Sequence, residues 1–337
     1  MKKKRVSLKD IADKVGVSTA LVSYVLNGQE KEKRVGAEVV IRIRKALEEM
    51  NYKPNFIARS LRYGTTKTIG LIVTDIANPF FSSMARHIED EAYKSGYTVI
   101  IGSSDENCDK SDLLVETLLN RQVDGFIIVP AEGCEDCLSH LIEDKMPVVM
   151  VDRYVPGLVS NHVVLDNYTA SYNATLHLLN KGYKNIGLVA YKSNLIHMRE
   201  RVRGYEEAMM FKGLEKQTWI KYIRYNKLKT DMNKAIEVIG SKEGNNIDAV
   251  IFTTNTLSLA GLYEIHGLGI KVPEELAIIG FDGNEAFDFF YSPLTYVKQP
   301  VDEMGKEAVR ILLDQMNGSK KISHVNLTSQ LVIRDSC

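Results

Sequence analysis

From about residue 65 onward the chain alternates short apolar runs with longer amphipathic ones, and it does so twice. Runs at 68–73, 98–103, 125–129 and 148–151 are rich in Val and Ile and read as strands buried on both faces, with helices between them. After a further run at 162–166 the rhythm resumes, with strands expected at 185–189, 249–253 and 276–281. Strand–helix alternation implies a parallel sheet covered on both faces, because a parallel crossover carries its helix onto one face or the other. The pattern therefore predicts an α/β body over 65–337, built as two lobes with doubly wound parallel sheets. Crossovers are expected near 160 and 290, and a last helix over 301–317 should return to the first lobe.

In such sheets a ligand sits beyond the carboxyl ends of the strands, so polar residues that close strands are site candidates. Asp75 follows TIGLIVT, Asp152-Arg153 follows VVMV, Asn255 follows VIFTT and Asp282 follows AIIGF, while Arg199 opens the helix that contains GYEEAM. Singly each reads as a helix cap or a surface residue. Together, carboxylate, amide and guanidinium groups suit a polar ligand rich in hydroxyls.

The first 64 residues differ in kind. They carry 15 Lys/Arg against 7 Asp/Glu, although the 337-residue chain as a whole is formally neutral. A basic head on an acidic body points to a polyanionic partner. Ser7 with Asp10 forms a capping-box pattern, and Leu8, Ile11, Ala12 and Val15 define one apolar face. Gly16 ends that helix. Ser18 caps a second, with Val22, Val25 and Leu26 inward and Asn27-Gly28 at its end. A third helix runs over 37–50. Three short helices with a glycine turn between the first two match a helix-turn-helix unit, placed at 1–52. The second helix leaves Thr19, Ala20, Ser23, Tyr24 and Asn27 outward, an uncharged surface with cations nearby, as reading base edges between phosphates requires.

SLKDIADKVGVSTALVSYVLNG, NYKPNFIARSLRYGTTKTIGLIV and DIANPFF together resemble the lac repressor (LacI–GalR) family over essentially the whole chain. The resemblance implies a homodimer that binds double-stranded operator DNA and releases or engages it when a small-molecule effector, a sugar or sugar derivative, binds a body like that of periplasmic binding proteins. It puts Thr19 and Ala20 at the principal base-reading positions, with Ser7, Ser18, Ser23 and Asn27 as further contacts. Tyr24 stands where many members carry Arg. It makes 53–64 a hinge helix and linker, in which Asn55 and Ala58 approach DNA and Leu61 wedges between base pairs of the minor groove. Effector contacts are implied at Asp152, Arg199, Asn255 and Asp282, with Phe80 on the first-lobe wall. Two positions depart from the family pattern: Asn255 is followed by Thr256 where an Asp is usual, and Lys227 aligns with an aromatic stacking residue.

The basic start MKKKRVSLKD leads into no apolar segment, and no run of about 18 apolar residues exists, so neither export nor membrane insertion is expected and the protein reads as cytoplasmic. Nothing after LVIRDSC supplies an apolar heptad tail, which favours a dimer over a tetramer. Enzyme classes lack support. No G-x-G-x-x-G follows a strand, and no P-loop or G-x-S-x-G occurs. No cofactor is expected. Cys134 and Cys137 form one C-x-x-C, but Cys108 and Cys337 offer no second pair in sequence, so no metal site is expected either.

Overall fold

The computed structural model describes residues 6–52, 64–241 and 246–337, which fall in two compact units, Met1–Thr66 and Lys67–Cys337.

In the first unit three helices form around one small core: α1 (Leu8–Val15), α2 (Thr19–Leu26) and α3 (Ala37–Glu49). The capping box at Ser7 forms in full. Ser7 Oγ accepts from the Asp10 amide at 3.2 Å, and Asp10 Oδ2 accepts from the Ser7 amide at 2.7 Å. Gly16 closes α1 in the left-handed region (φ 74°), which costs glycine nothing, and frees the chain to turn into α2 within two residues. Ile11, Ala12 and Val15 of α1 meet Val22 and Val25 of α2 and Ile43 and Ala46 of α3, with Leu8, Leu26, Leu47 and Met50 packed at the margin. An ion pair within this unit, Lys14 to Glu49 at 2.6 Å, joins α1 to the end of α3, although both partners are half in solvent and the pair adds little.

The second unit contains β1 (Thr68–Val73), α4 (Pro79–Lys94), β2 (Thr98–Ser103), α5 (Cys108–Asn120), β3 (Gly125–Ile128), α6 (Glu135–Glu143), β4 (Val148–Asp152) and β5 (Asn161–Leu165). These are followed by α7 (Asn167–Asn180), β6 (Ile186–Tyr191), α8 (Ile196–Phe211), β7 (Trp219–Ile223), α9 (Leu228–Gly240), β8 (Ala249–Phe252), α10 (Asn255–Gly267) and β9 (Ala277–Phe281). The chain closes with α11 (Glu285–Phe289), β10 (Thr295–Lys298), α12 (Val301–Met316), β11 (His324–Leu327) and β12 (Gln330–Val332). Two six-stranded sheets result, with strand orders β11-β5-β4-β3-β1-β2 and β12-β10-β9-β8-β6-β7. All pairings are parallel except β12 on β10. Both sheets are covered on both faces. In the first, Leu71, Ile127 and Val149 meet α4 and α12, while the alternate residues Ile72, Phe126, Ile128 and Met150 meet α5 and α6.

The chain passes between lobes at Asp166, at Gln299–Pro300 and again between Leu327 and Gln330. The first two passages lie several residues beyond the positions expected from sequence, because β5 and β10 each add one more strand before the chain leaves. The third was not foreseen, since β11 and β12 are short, half-exposed edge strands without an apolar run. The final long helix does return to the first lobe, where Met304, Ala308 and Leu312 complete its core.

Candidate functional site

The carboxyl ends of both sheets open onto one cavity of about 460 Å³ within the second unit. Its first-lobe wall is built from Thr74 and Asp75 after β1, Asn78, Phe80 and Phe81 at the start of α4, Asp105 and Glu106 after β2, and Asp152 with Arg153 at the end of β4. The second lobe contributes Tyr191 and Ser193 after β6, His197, Met198 and Arg201 from α8, Tyr225 after β7, Thr254 and Thr256 after β8, and Asp282 after β9. Gln299 comes from a passage between lobes. Glu132 reaches across the mouth, where Ser193 Oγ donates to it at 3.1 Å and the Asn194 amide at 3.3 Å.

Four charged side chains at this site are almost fully buried: Asp152, Arg153, Arg201 and Asp282. Arg153 forks onto Glu106 through two bonds of 3.0 Å and reaches Asp152 at 3.3 Å. Burial opposes its charge, but the two carboxylates outweigh that and hold its pKa above the ordinary value. Arg201 donates from Nε to Asn167 Oδ1 at 2.8 Å and from Nη1 to the Thr253 carbonyl, and its guanidinium lies 4.3 Å over the Phe281 ring. Burial lowers its pKa, against the pull of Asp282 and Asp152. Both aspartates are pushed up by burial, offset in part by the arginines and, at Asp282, by Gln299 Nε2 donating at 2.6 Å. His197 is held neutral. Burial, then Arg153 and Arg201, drive its pKa well below 6.5.

Asp75, Phe80, Asp152 and Asp282 line the cavity. Arg199 does not: it is exposed on the outer side of α8. The arginine in the site is Arg201, and the reason is helical period. His197, Met198, Arg201, Gly204, Tyr205 and Ala208 form the buried stripe of α8, and residue 199 lies about 200° around the helix from residue 201. Gly204 fixes that register, because a Cβ there would stand 2.3 Å from the Tyr168 carbonyl of α7. Counting back in steps of three and four from Gly204-Tyr205 would have found Arg201. Asn255 is 1% exposed but lies behind the wall, which its neighbours Thr254 and Thr256 form, and its backbone slightly offsets the upward shift of the Asp282 carboxyl. Lys227 is likewise outside the lining. Tyr225 is the aromatic residue there, 5.5 Å from the Tyr191 ring. Arg153, named with Asp152 at a strand end, does line the cavity, whereas Glu106, Glu132, His197 and Gln299 were not singled out as ligand contacts from sequence: His197 sits on α8, whose register the sequence leaves open, and the other three lie in loops or a passage whose position only the fold sets.

In the first unit, α2 presents Ser18, Thr19, Ala20 and Asn27 to solvent, with Ser23 and Tyr24 half-buried beside them. Ser18 Oγ caps the helix, accepting from the Leu21 amide at 3.3 Å, and Asn27 Nδ2 donates to the Ser23 carbonyl at 2.7 Å. Ser7 is exposed at the start of α1. Asn55, Ala58 and Leu61, with the rest of the expected hinge, lie outside the described residues. No helix among the described residues is long and apolar enough to cross a membrane.

Comparison with known proteins places both units. Residues 7–55 match the model of bacterial regulatory proteins of the lacI family, and 175–337 match a periplasmic binding protein-like domain. The HTH-type transcriptional repressor PurR of Aliivibrio fischeri strain MJ11 is 32% identical over 313 residues, covering 92% of this chain and 91% of the relative. A lac repressor dimer bound to operator and an anti-inducer superposes with a TM-score of 0.84 over 99% of both chains, at 22% identity, a likeness of fold. A LacI family transcriptional regulator from Enterococcus faecium with bound ribose superposes with a TM-score of 0.71 at 27% identity, over 80% of this chain and 98% of its own. The helix-turn-helix unit and the two-lobed body with its polar cleft are thus the DNA-binding and effector-binding parts of a transcriptional repressor, not of an enzyme, and the chain belongs to the lacI family of bacterial regulatory proteins.

Proposed function

We propose that the protein represses a carbohydrate-utilisation operon as a homodimer on a palindromic operator, and is released from it when a small neutral sugar fills the cleft between the lobes. The lining of that cleft carries the proposal. Six carboxyl-bearing residues (Asp75, Asp105, Glu106, Glu132, Asp152 and Asp282) share it with three cations, Arg153, Lys192 and Arg201. An acidic or phosphorylated ligand would meet net repulsion, whereas hydroxyl groups donate to carboxylates and accept from guanidinium. Thr74 Oγ1, His197 Nδ1 and Gln299 Oε1 are buried there without a protein partner, and such groups call for a polar ligand. Phe80, Tyr191 and Tyr225 add ring faces against which the apolar face of a sugar can lie.

On DNA, the reading assigns base contacts to Thr19, Ala20, Ser23 and Tyr24, phosphate or capping roles to Ser7, Ser18 and Asn27, and minor-groove contacts to Asn55, Ala58 and Leu61. The supporting observations are the uncharged outward face of α2 and the excess of Lys and Arg over residues 1–64.

The test is a thermal-shift screen of the full chain with neutral pentoses, hexoses and disaccharides beside their phosphates. A true effector present at about 100 times its Kd adds about 2.7 kcal/mol to the folded state. The same compound should then dissociate the protein from operator DNA in a gel. Stabilisation by a sugar phosphate but by no neutral sugar would overturn the proposed ligand class, and tighter DNA binding with ligand would reverse the proposed sign.

A further inference from the structure

We propose that the protein holds a thiophilic divalent cation, Zn²⁺ in the cell, between α5 and the start of α6, with Cys108, Cys134 and Asp112 as ligands and Cys137 as the fourth. The ligand atoms of Cys108, Asp112 and Cys134 all lie within 4.8 Å of one another. In a tetrahedral zinc site with Zn–S bonds of about 2.3 Å, sulfurs stand roughly 3.8 Å apart, so this spacing needs only small side-chain adjustments. Cys108 Sγ is already 3.9 Å from Asp112 Oδ1.

Two short sequence pairs make the set. Cys108 and Asp112 are four residues apart on α5, hence one above the other on one face. Cys134 is the N-cap of α6 and Cys137 lies one turn on, near enough to feel the same Asp112 carboxylate. Cys108 and Cys134 thus stand at two helix N-termini, where the positive end of the peptide dipoles favours a thiolate. The fold joins the two pairs although 26 positions separate Cys108 from Cys134. That distance is why the C-x-x-C carried no metal expectation from sequence.

The surroundings suit a cation and supply no competitor. The groups acting on the three thiols are chiefly one another, Asp112, Asp109 and Ser111, none of them cationic. Cys134 is buried while Asp112 is exposed, which leaves an entry from solvent on the carboxylate side. Binding replaces three S–H bonds by three S–Zn bonds and releases three protons to solvent, with no change of oxidation state. The site lies directly behind the effector cleft, since Glu106 and Glu132 each precede a ligand cysteine by two residues and both line the cavity.

Co²⁺ titration of the reduced, chelator-stripped full chain tests this. The expected result is saturation at one equivalent, with thiolate-to-metal charge-transfer absorption and tetrahedral d–d bands that Zn²⁺ abolishes by displacement. Cys134→Ser and Cys108→Ser should each weaken binding by more than the roughly 10–100-fold that losing an outer partner costs. Cys337→Ser, whose thiol is buried in the other lobe, should leave it unchanged. Absence of charge-transfer bands in the wild type overturns the proposal, as does their survival in both ligand variants. Formation of a Cys108–Cys134 disulfide by air, without Co²⁺ binding to the reduced protein, would make the pair redox chemistry and overturn it too.

Discussion

The two lobes present the same device to the cleft in different electrical states. Each ends a central strand in an aspartate with left-handed backbone, Asp152 at φ 68° and Asp282 at φ 62°, a conformation that Asp tolerates better than most residues. Each places a buried arginine beside it. In the first lobe, Arg153 is matched by the bidentate Glu106 and by Asp152, so its charge is spent inside the wall. In the second, Arg201 is held by neutral acceptors, an amide oxygen and a carbonyl, and by the face of Phe281. The opposite pKa directions of the two arginines report this difference. A charge-paired guanidinium braces structure, whereas one oriented by neutral groups still has field to offer a ligand.

The largest expected effect follows from Arg201. Arg201→Met should cost about 3–5 kcal/mol of stability, as the removal of one partner from a buried charged network does, and should abolish the effector response. Arg199→Ala, two positions away but exposed, should stay within about 0.5 kcal/mol in stability and respond normally. Urea denaturation and effector-dependent release from operator measure both. If the two variants behaved alike, the contrast between the lobes would lose its second-lobe half.

Glu106→Gln comes next. It leaves Arg153 buried with Asp152 alone and should cost about 1.5–3 kcal/mol, with a smaller effect on ligand affinity than Arg201→Met. The double variant Glu106→Leu/Arg153→Leu should recover much of that stability, because the pair is removed whole and no charge is left uncompensated. A double variant less stable than Glu106→Gln would show that the first-lobe pair does more than neutralise itself.

The difference between Arg199 and Arg201 also shows what the residues reveal unaided. Strand ends are legible, because an apolar run stops at a polar residue whatever the surroundings. Asp75, Asp152 and Asp282 were found that way and line the cavity. A helix position is legible only once its register is known, and MRERVR offers arginines at 199, 201 and 203 on different sides of α8. Arg203 turns out to serve the surface, paired with Glu200 at 2.5 Å and Glu207 at 3.1 Å. Loop-borne groups such as Glu106, Glu132 and Gln299 have no periodicity to betray them. The edge strands β11 and β12 escaped for the same reason, being too short and too wet to leave an apolar run.

His197 gives a pH-dependent version of the comparison, since it lies within the field of both arginines. Its folded pKa is depressed, so it is neutral in the fold but takes up a proton when the chain unfolds below about pH 6.5. Its contribution to stability is therefore complete above 6.5 and is lost as pH falls from there toward the lower folded value. His162, depressed to about 4 by burial, acts in the same direction. Asp152 and Asp282, raised by burial, act in the opposite one, losing stability as pH rises from 3.8 through their folded values. The difference between wild type and His197→Gln isolates the histidine. It should amount to about 1.4 kcal/mol per pH unit below 6.5, read from urea midpoints at pH 7 and pH 5.5. Parallel profiles would mean that His197 is charged in the fold and that neither arginine governs it.

The smallest effect separates Tyr225 from Lys227. Tyr225 lines the cavity with about half of its surface in solvent, against Tyr191, while Lys227 lies two residues on and outside the lining. An aromatic face that a ligand covers contributes about 0.5–1.5 kcal/mol beyond its buried area, and a solvated lysine next to a site contributes almost nothing. Tyr225→Ala should then weaken effector binding by about fivefold and leave stability within about 0.5 kcal/mol. Lys227→Ala should change neither quantity. Calorimetric titration of both variants with the sugar that stabilises the wild type decides the matter. A loss confined to Lys227→Ala would mean that the ligand carries negative charge after all, and that the excess of carboxylates around the cleft faces something other than the effector's charged group. A loss confined to Tyr225→Ala would instead place the ring face on the second lobe, with the hydrogen-bonding edge turned toward Asp152 and the first.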